Sequence, residues 1–236
     1  IRVSLTNQDR ITVLKEKDAE RYLPIWMGIP ETDSITIALQ GVAIARPLTH
    51  DLLISVMNAL DIHLETVEIT LNTPAACSLI RKAVRRYGRK LMIGAGTVLS
   101  VTDLKKALDA GATFAVSPVL VRPVVRYCVK NRVPVFPGAL TPREIHAARD
   151  AGATMVKVFP AGCFGPAYFR EIKGPFGEIE LMACSGVTPE NIKEYFANGA
   201  SAAAIGSGTF RGEWIRQGKF DLINRKIRAC LRALSL

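Results

Sequence analysis

A strand-then-helix rhythm of hydrophobic and polar positions repeats from about residue 65 to the end of the chain. Short apolar segments of strand length alternate with amphipathic segments that carry apolar residues at helical spacing. The strand-like segments are residues 66–71, 91–96, 113–117, 133–137, 154–159, 179–184 and 202–206. Helical patterns lie between them, for example over residues 101–110, 142–151 and 189–198. Repeated units of this kind predict a parallel sheet covered by helices.

Three of the predicted helices end at a glycine, Gly111, Gly152 or Gly199, and the next strand follows at once. Glycine just past a helix end supplies the left-handed cap that stops the helix. Seven such units predict an α/β fold of the (β/α)8 TIM-barrel type that lacks one standard unit. An open, doubly wound sheet is the alternative.

Residues 1–65 follow a different pattern. Short alternating segments over residues 1–5, 11–15 and 21–27 predict a β-meander, and helices are expected over residues 32–40 and 50–60. The change of period places a boundary near residue 65. We therefore expect an α+β segment, residues 1–65, in place of the first βα unit, and a (β/α) barrel over residues 66–236.

Composition excludes several classes of protein. Hydrophobic residues make up 49% of the 236 positions, yet no apolar run approaches the ~18 residues that span a membrane. The five cysteines form no CxxC pair and the three histidines do not cluster with them, which predicts reduced thiols in a cytoplasmic protein and no metal site. The net charge of +10 lies largely in runs at helical spacing without interleaved aromatic residues, so solvated helix faces are expected and a nucleic-acid partner is not.

Lys157 stands in an apolar strand-like run, between Val156 and Val158. Burial of an ammonium ion is costly, so a lysine inside a parallel strand tends to lose its proton and to become a nucleophile for carbonyl carbon. Taken alone, Lys157 favours an edge strand on which the lysine faces water. Its neighbourhood favours Schiff-base chemistry on a keto substrate.

Other polar residues fall where predicted strands end, which is the catalytic end of a barrel. Glu68 is a charge within another apolar strand, Thr97 closes the next strand and Ser117-Pro118 follows the one after. A glutamate and a lysine on inward-facing strands can act together as general base and nucleophile. The structural alternative for Glu68 and Lys157 is a buried ion pair.

Two glycine turns follow the last two predicted strands. Ser185 and Gly186 lie in the first turn, and Gly206 and Ser207 lie in the second. Backbone N–H groups and helix N-termini in these loops commonly hold a phosphate in barrels. The two turns therefore predict a phosphate site.

Five motifs occur in one order along the second part of the chain. They are VEITLNTP at residues 67–74, IGAGTVL at 93–99, AVSP at 115–118, VFPG at 135–138 and VKVFPA at 156–161. In order and spacing, residues 66 to about 214 resemble the class I aldolase family of 2-keto-3-deoxy-6-phosphogluconate (KDPG) and 4-hydroxy-2-oxoglutarate (KHG) aldolases.

The resemblance implies a class I aldolase without a cofactor, in which Lys157 forms a covalent imine with the C2 carbonyl of pyruvate or of the aldol. Glu68 would shuttle protons, Thr97 would bind the pyruvyl carboxylate, and Asn72 would contact a substrate anion. Pro118 and Phe159 would shape the pocket. The residues around the phosphate would be Ser185, Gly186, Val187, Gly206 and Ser207.

The implied reaction is cleavage of KDPG to pyruvate and glyceraldehyde 3-phosphate, of KHG to pyruvate and glyoxylate, or of both. The resemblance thus implies a 2-keto acid as the small-molecule partner and a role in carbohydrate metabolism of the Entner–Doudoroff type. It also implies a homotrimer. The chain departs from the family pattern in four places. Many members carry arginine at Asn72, Cys184-Ser185-Gly186 replaces a commoner Thr-Gly-Gly, and Gly208 and Thr209 vary a Gly-Ser-Trp type ending. The largest departure is at the front, where the family's first strand with its substrate-binding arginine has no match.

Residues 1–65 resemble instead the front half of the bifunctional nuclease (BFN) domain family. The matching text is LKEKD at residues 14–18, RYLPIWMG at 21–28, IALQGV at 37–42 and RPLTHDLL at 46–53. Two alternatives to an aldolase follow: a nuclease or nucleic-acid-binding module using Arg46, His50 and Asp51, or an inactive fusion of two truncated domains. Thr49, His50 and Asp51 are also a good helix start.

Overall fold

A computed structural model describes residues 2–6, 9–15, 22–27, 66–206 and 208–234. The chain divides into two compact units, Ile1–Arg46 and Pro47–Leu236. The helices expected over residues 32–40 and 50–60, together with Arg46, His50 and Asp51, lie outside the described residues.

The first unit contains a three-stranded antiparallel sheet, which is the β-meander that the alternating pattern predicts. Its strands are β1 (Arg2–Thr6), β2 (Asp9–Lys15) and β3 (Tyr22–Met27), in the order β1-β2-β3. Ser4 pairs with Ile11 across β1 and β2, and Thr12 pairs with Ile25 across β2 and β3.

Parallel strands alternate with helices in the second unit. The strands are β4 (Thr66–Thr70), β5 (Met92–Gly96), β6 (Ala115–Val116), β7 (Val135–Phe136), β8 (Gly138–Ala139), β9 (Val156–Val158), β10 (Leu181–Cys184) and β11 (Ala202–Ala204). The helices are α1 (Ala76–Tyr87), α2 (Val101–Asp109), α3 (Arg122–Lys130), α4 (Pro142–Asp150), α5 (Ala167–Lys173), α6 (Ile192–Ala197), α7 (Gly212–Arg216) and α8 (Phe220–Leu234). A 3₁₀ turn, Ala161–Cys163, follows β9.

The parallel strands pair as two sheets, β4-β5-β6-β7 and β8-β9-β10-β11. Only Pro137 separates β7 from β8, and its carbonyl accepts a hydrogen bond from the Lys157 N–H over 3.0 Å. β7 pairs with β6, whereas β8 pairs with β9. Each of the seven predicted segments contains a parallel strand. The α/β fold of the (β/α)-barrel type is therefore confirmed over the described part of this unit.

Alternate strand residues point to opposite faces of the sheet. Residues of one face, such as Ile93 and Val135, pack with the helices around the first sheet, and Val158 and Leu181 do the same around the second. The charged residues Glu68 and Lys157 occupy the intervening positions, so they lie on the inner face, away from the helices.

Local sequence chemistry sets the helix ends. Thr141 and Glu144 form a capping box at the start of α4, in which the Thr141 hydroxyl accepts from the Glu144 N–H. Gly111, Gly152 and Gly199 have φ angles of 101°, 98° and 98°, which confirms the predicted left-handed ends of α2, α4 and α6.

Candidate active site

Lys157 occupies the middle of β9, between β8 and β10. Its Cα partners are Gly138 on β8 and Met182 on β10. The residue is only 8% exposed, and its amine forms no ion pair within 4.0 Å in the part of the chain that the structure describes. The Nζ atom lies 5.0 Å from the centroid of the Phe159 ring. A buried amine without a paired carboxylate at contact distance fits a nucleophile better than it fits a structural ion pair.

Glu68 brings a carboxylate to the same interior from β4. Burial raises the pKa of Glu68, and the charge of Lys157 partly opposes the shift. The carboxylate lies directly over Gly96 on β5, where a Cβ would overlap Glu68 Oε1. Glycine at position 96 therefore makes room for the carboxylate. A carboxyl group with a raised pKa near a buried amine is suited to proton transfer.

Cys184 is a third inner-face residue, which sequence reasoning had not placed in the site. It follows Met182, the Cα partner of Lys157, by two positions on β10. Burial raises the pKa of the Cys184 thiol; Lys157 lowers it by charge and by a side-chain hydrogen bond, and Glu68 raises it. The period-2 alternation of β10 was the signal that could have identified this position.

Thr97 and Asn72 come together at a neighbouring cleft of about 450 Å³. Thr97 follows β5, is half-buried and adopts φ 54°, an uncommon conformation for a β-branched residue. The other lining residues are Leu71, Thr73, Ala75, Ala76, Cys77, Ser78, Leu99, Asp103 and Lys106. Lys157 and Glu68 do not line this cleft. The structure thus brings together two of the predicted substrate-binding residues, Thr97 and Asn72.

The loop after β10 is held by hydrogen bonds to its neighbours. The Gly162 N–H donates to the Ser185 carbonyl over 3.0 Å, and the Asn191 amide donates to the Gly186 carbonyl over 2.9 Å. Asn191 Oδ1 also accepts from the Thr188 N–H over 2.8 Å. This turn explains why α6 begins at Ile192, later than the predicted start at residue 189.

The remaining predicted site residues are spread over several loops. The Pro118 carbonyl packs against Gly138, next to Lys157 in the sheet. Phe159 is 36% exposed, whereas the Val187 side chain is buried in the core of the second sheet. Gly206 follows β11 with open space around it, and Ser207 lies outside the described residues.

Two negative findings concern the described residues. They contain no group of three or more His, Cys, Asp or Glu side chains that could hold a metal ion. No helix among them has the length and apolar character needed to cross a membrane.

The interior amine and carboxylate on separate parallel strands are the kinds of group that a Schiff-base enzyme uses, and comparison with known proteins identifies the family. The sequence profile of the KDPG and KHG aldolases matches residues 42–226. The chain belongs to this family; it is a class I aldolase, a carbon–carbon lyase. The match begins at residue 42, upstream of the boundary expected near residue 65.

Curated relatives cover most of the chain. The 2-dehydro-3-deoxy-6-phosphogalactonate aldolase of Escherichia coli K12 is 36% identical over 72% of this chain and 84% of its own length. The 2-dehydro-3-deoxy-phosphogluconate aldolase of Treponema pallidum is 29% identical over 90% of this chain and 93% of its own.

Solved structures show the same fold. A native KDPGal structure superposes with a TM-score of 0.71 at 32% identity, covering 81% of this chain and 94% of that one. KDPG aldolase from Legionella pneumophila, with pyruvate captured as a covalent carbinolamine, gives 0.68 at 26% identity, covering 78% of this chain and 87% of that one.

Proposed function

We propose that this aldolase cleaves 2-keto acid aldols that yield pyruvate, through an imine on Lys157 and without an external cofactor. The candidate substrates are KDPG, which gives pyruvate and glyceraldehyde 3-phosphate, and KHG, which gives pyruvate and glyoxylate. The observation that carries the proposal is the buried amine of Lys157 on the inner face that it shares with Glu68. The covalent carbinolamine in the Legionella relative supports the first chemical step.

In the proposed reaction the Lys157 amine attacks the C2 carbonyl carbon of the aldol and forms a carbinolamine. Loss of water gives the imine, which draws electrons away from C3. Glu68 takes the proton of the C4 hydroxyl, the C3–C4 bond breaks and the aldehyde leaves. Protonation of the resulting enamine at C3 and hydrolysis of the imine release pyruvate and the free lysine. The imine itself serves as the electron sink, so no further cofactor is required.

The substrate would extend from the amine towards two groups of polar atoms. Thr97 is proposed to bind the pyruvyl carboxylate and Asn72 to contact a substrate anion, while Pro118 and Phe159 shape the pocket around the imine. The phosphate is assigned to the loops after β10 and β11, at Ser185, Gly186, Val187, Gly206 and Ser207. The Ser185 carbonyl accepts from the Gly162 N–H and the Gly186 carbonyl accepts from the Asn191 side-chain amide. These bonds fix the turn, and a fixed turn ahead of a helix supports the proposed phosphate site.

A homotrimer is proposed for the assembled enzyme. Three apolar side chains in loops at the carboxyl ends of the strands are exposed: Leu99 by 52%, Val119 by 54% and Phe164 by 58%. Exposed large apolar groups are a feature of protein interaction surfaces, and the number of subunits is taken from the family resemblance. A cytoplasmic location is proposed as well, because the five cysteines are free thiols.

Residues 1–65 are proposed as a BFN-like α+β segment ahead of the barrel, on the strength of the sequence resemblance. No nuclease activity is proposed for it. The aldolase family match already includes residues 42–65, and the alignment with the treponemal aldolase covers 90% of the chain.

The test is a substrate panel in which released pyruvate is reduced by lactate dehydrogenase and NADH loss is followed. KDPG, its galactonate epimer and KHG are compared at matched concentrations. Cleavage of at least one aldol by the full chain is expected, and the ratio of kcat/KM values ranks the substrates. A folded protein that cleaves none of the three would contradict the proposed function.

A further inference from the structure

Cys184 places a thiol inside the candidate active site. It lies on β10, two residues beyond Met182, whose Cα partner is Lys157 on β9. Residues two apart on a strand share a face, so the Cys184 side chain points to the inner face that carries the amine. The residue is half-buried, which leaves part of it open to small molecules.

Cys184 lies next to the Lys157 amine, so a change at its sulfur can affect imine formation. Lys157 is more than nine-tenths buried, without an ion pair among the described side chains, and it must receive the carbonyl carbon of the substrate. A group attached to the Cys184 sulfur would occupy the space next to Nζ. A displacement of about 1 Å between reacting groups can cost about 10²-fold in rate, so even a small substituent would obstruct imine formation.

We propose that Cys184 is a covalent modification site through which small disulfides or thiosulfonates switch the aldolase off. The inference rests on the proposed role of Lys157. In the step, the Cys184 thiolate attacks one sulfur of the reagent and its S–S bond breaks. The second sulfur leaves with the bonding electrons. A disulfide releases a thiolate, which takes up the proton that Cys184 lost, whereas a thiosulfonate releases a sulfinate and the proton passes to the solvent. The reagent is the only oxidant needed, and an added thiol reverses the reaction.

The surroundings of the thiol predict how the reaction depends on pH and on substrate. Burial raises the pKa of Cys184, with Lys157 on β9 and Glu68 on β4 as the charged groups that face it. The thiolate is the reactive form, so modification should accelerate as pH rises through and above the ordinary thiol range. Pyruvate held on Lys157 should cover the thiol and slow the reaction.

The other cysteines provide internal controls. Cys163 is exposed, in the turn after β9, and should react sooner than Cys184. Cys128 and Cys230 are buried, and Cys77 is half-buried at the neighbouring cleft. Modification of Cys163 should leave the amine accessible, because the residue lies on the surface.

The experiment treats the full chain with methyl methanethiosulfonate, with and without pyruvate, and then maps the methylthio groups by peptide mass. Part of each sample receives pyruvate and cyanoborohydride, which reduces any imine to an adduct on Lys157 and leaves the methylthio disulfide intact. Wild type and Cys163→Ser should lose adduct yield in step with modification of Cys184, by about tenfold or more at completion. Prior pyruvate should slow the loss, dithiothreitol should reverse it, and Cys184→Ser should resist it.

Two results would overturn the proposal: full adduct yield in protein that carries a methylthio group on Cys184, or loss of yield that follows another cysteine. Wild-type peptide mapping gives this answer even if Cys184→Ser fails to fold. Failure of the proposed function looks different, since untreated wild type would then form no adduct at all.

Discussion

The two parallel sheets of the barrel unit differ in the side chains that they contribute to the proposed chemistry. The first sheet, β4 to β7, supplies the carboxylate of Glu68 and makes room for it with Gly96. The second sheet, β8 to β11, supplies the amine of Lys157 and the thiol of Cys184. Each sheet packs with its own cluster of helices. Neither sheet contains both the proposed base and the nucleophile, so the site requires that the two be assembled together.

The sheets also share one feature. Each carries a residue other than glycine with positive φ directly after a strand, Thr97 at 54° after β5 and Ser185 at 73° after β10. Such conformations cost about 1–3 kcal/mol each and concentrate at functional sites. Both positions belong to the proposed substrate-binding loops, which is consistent with strain retained for binding.

Replacement of the nucleophile should have the largest effect. Lys157→Met keeps an apolar stem in the buried position but removes the amine, so aldol cleavage should fall by about 10³-fold or more and the pyruvate adduct should vanish. Lys105→Met is the matched control, because Lys105 is exposed and stacks on Tyr127. Turnover by Lys157→Met at a rate near that of the control would disprove imine chemistry at this residue.

Replacement of the proposed base, Glu68, should abolish proton transfer from the first sheet without preventing imine formation on the second. Glu68→Gln should lower kcat by about 10²–10⁴-fold, while Lys157 still forms an adduct with pyruvate. Since burial raises the pKa of Glu68 above its ordinary 4.5, activity should fall as the pH drops through that raised value. The acid limb of the plot of kcat/KM against pH measures the pKa of Glu68. An unchanged acid limb in Glu68→Gln would assign it to another group.

The contact between the Glu68 carboxylate on β4 and Gly96 on β5 can be tested by substitution of Gly96. Gly96→Ala introduces a Cβ that collides with the Glu68 carboxylate, so kcat should fall by about tenfold or more and the melting temperature should also drop. Gly177→Ala is the control, because Gly177 lies away from the proposed site and its Cβ would meet only the Lys173 carbonyl oxygen, at an ordinary contact distance of 3.5 Å. Equal effects of the two substitutions would show that the carboxylate has room to move aside.

The smallest effect is expected at Ser185. Ser185→Gly relieves a left-handed backbone and should stabilise the fold by about 0.5–1 kcal/mol, seen as a rise in melting temperature. Arg132→Gly relieves a similar conformation, φ 57°, away from the proposed site. Only Ser185→Gly should change KM for a phosphorylated aldol. A change in KM with both variants would argue against a phosphate loop at Ser185.

The sequence predicted the strand–helix order and the two charged inner positions because their signals are strong. Lys157 and Glu68 are conspicuous in apolar strands. Cys184 is not conspicuous in this way, since cysteine is also a common core residue. Strand alternation places it on the inner face but does not assign it to the site. Its place beside Lys157 depends on which residues pair across β9 and β10, and that register is a property of the folded sheet.

Local hydrogen bonding accounts for the boundaries that the sequence pattern missed. The predicted strand over residues 133–137 stops at a proline, yet Gly138 and Ala139 continue the sheet by pairing with β9. The predicted start of α6 fails because the Asn191 side chain closes a turn with Thr188 and Gly186. Such contacts depend on the three-dimensional arrangement of the loop.

The most direct test of the account is borohydride trapping of pyruvate on the full chain, with intact mass and peptide mapping. The account predicts one reduced pyruvate per chain, on Lys157, and none in Lys157→Met. A folded protein that forms no adduct, or that forms it on another lysine, would contradict the claim that the interior amine is the nucleophile.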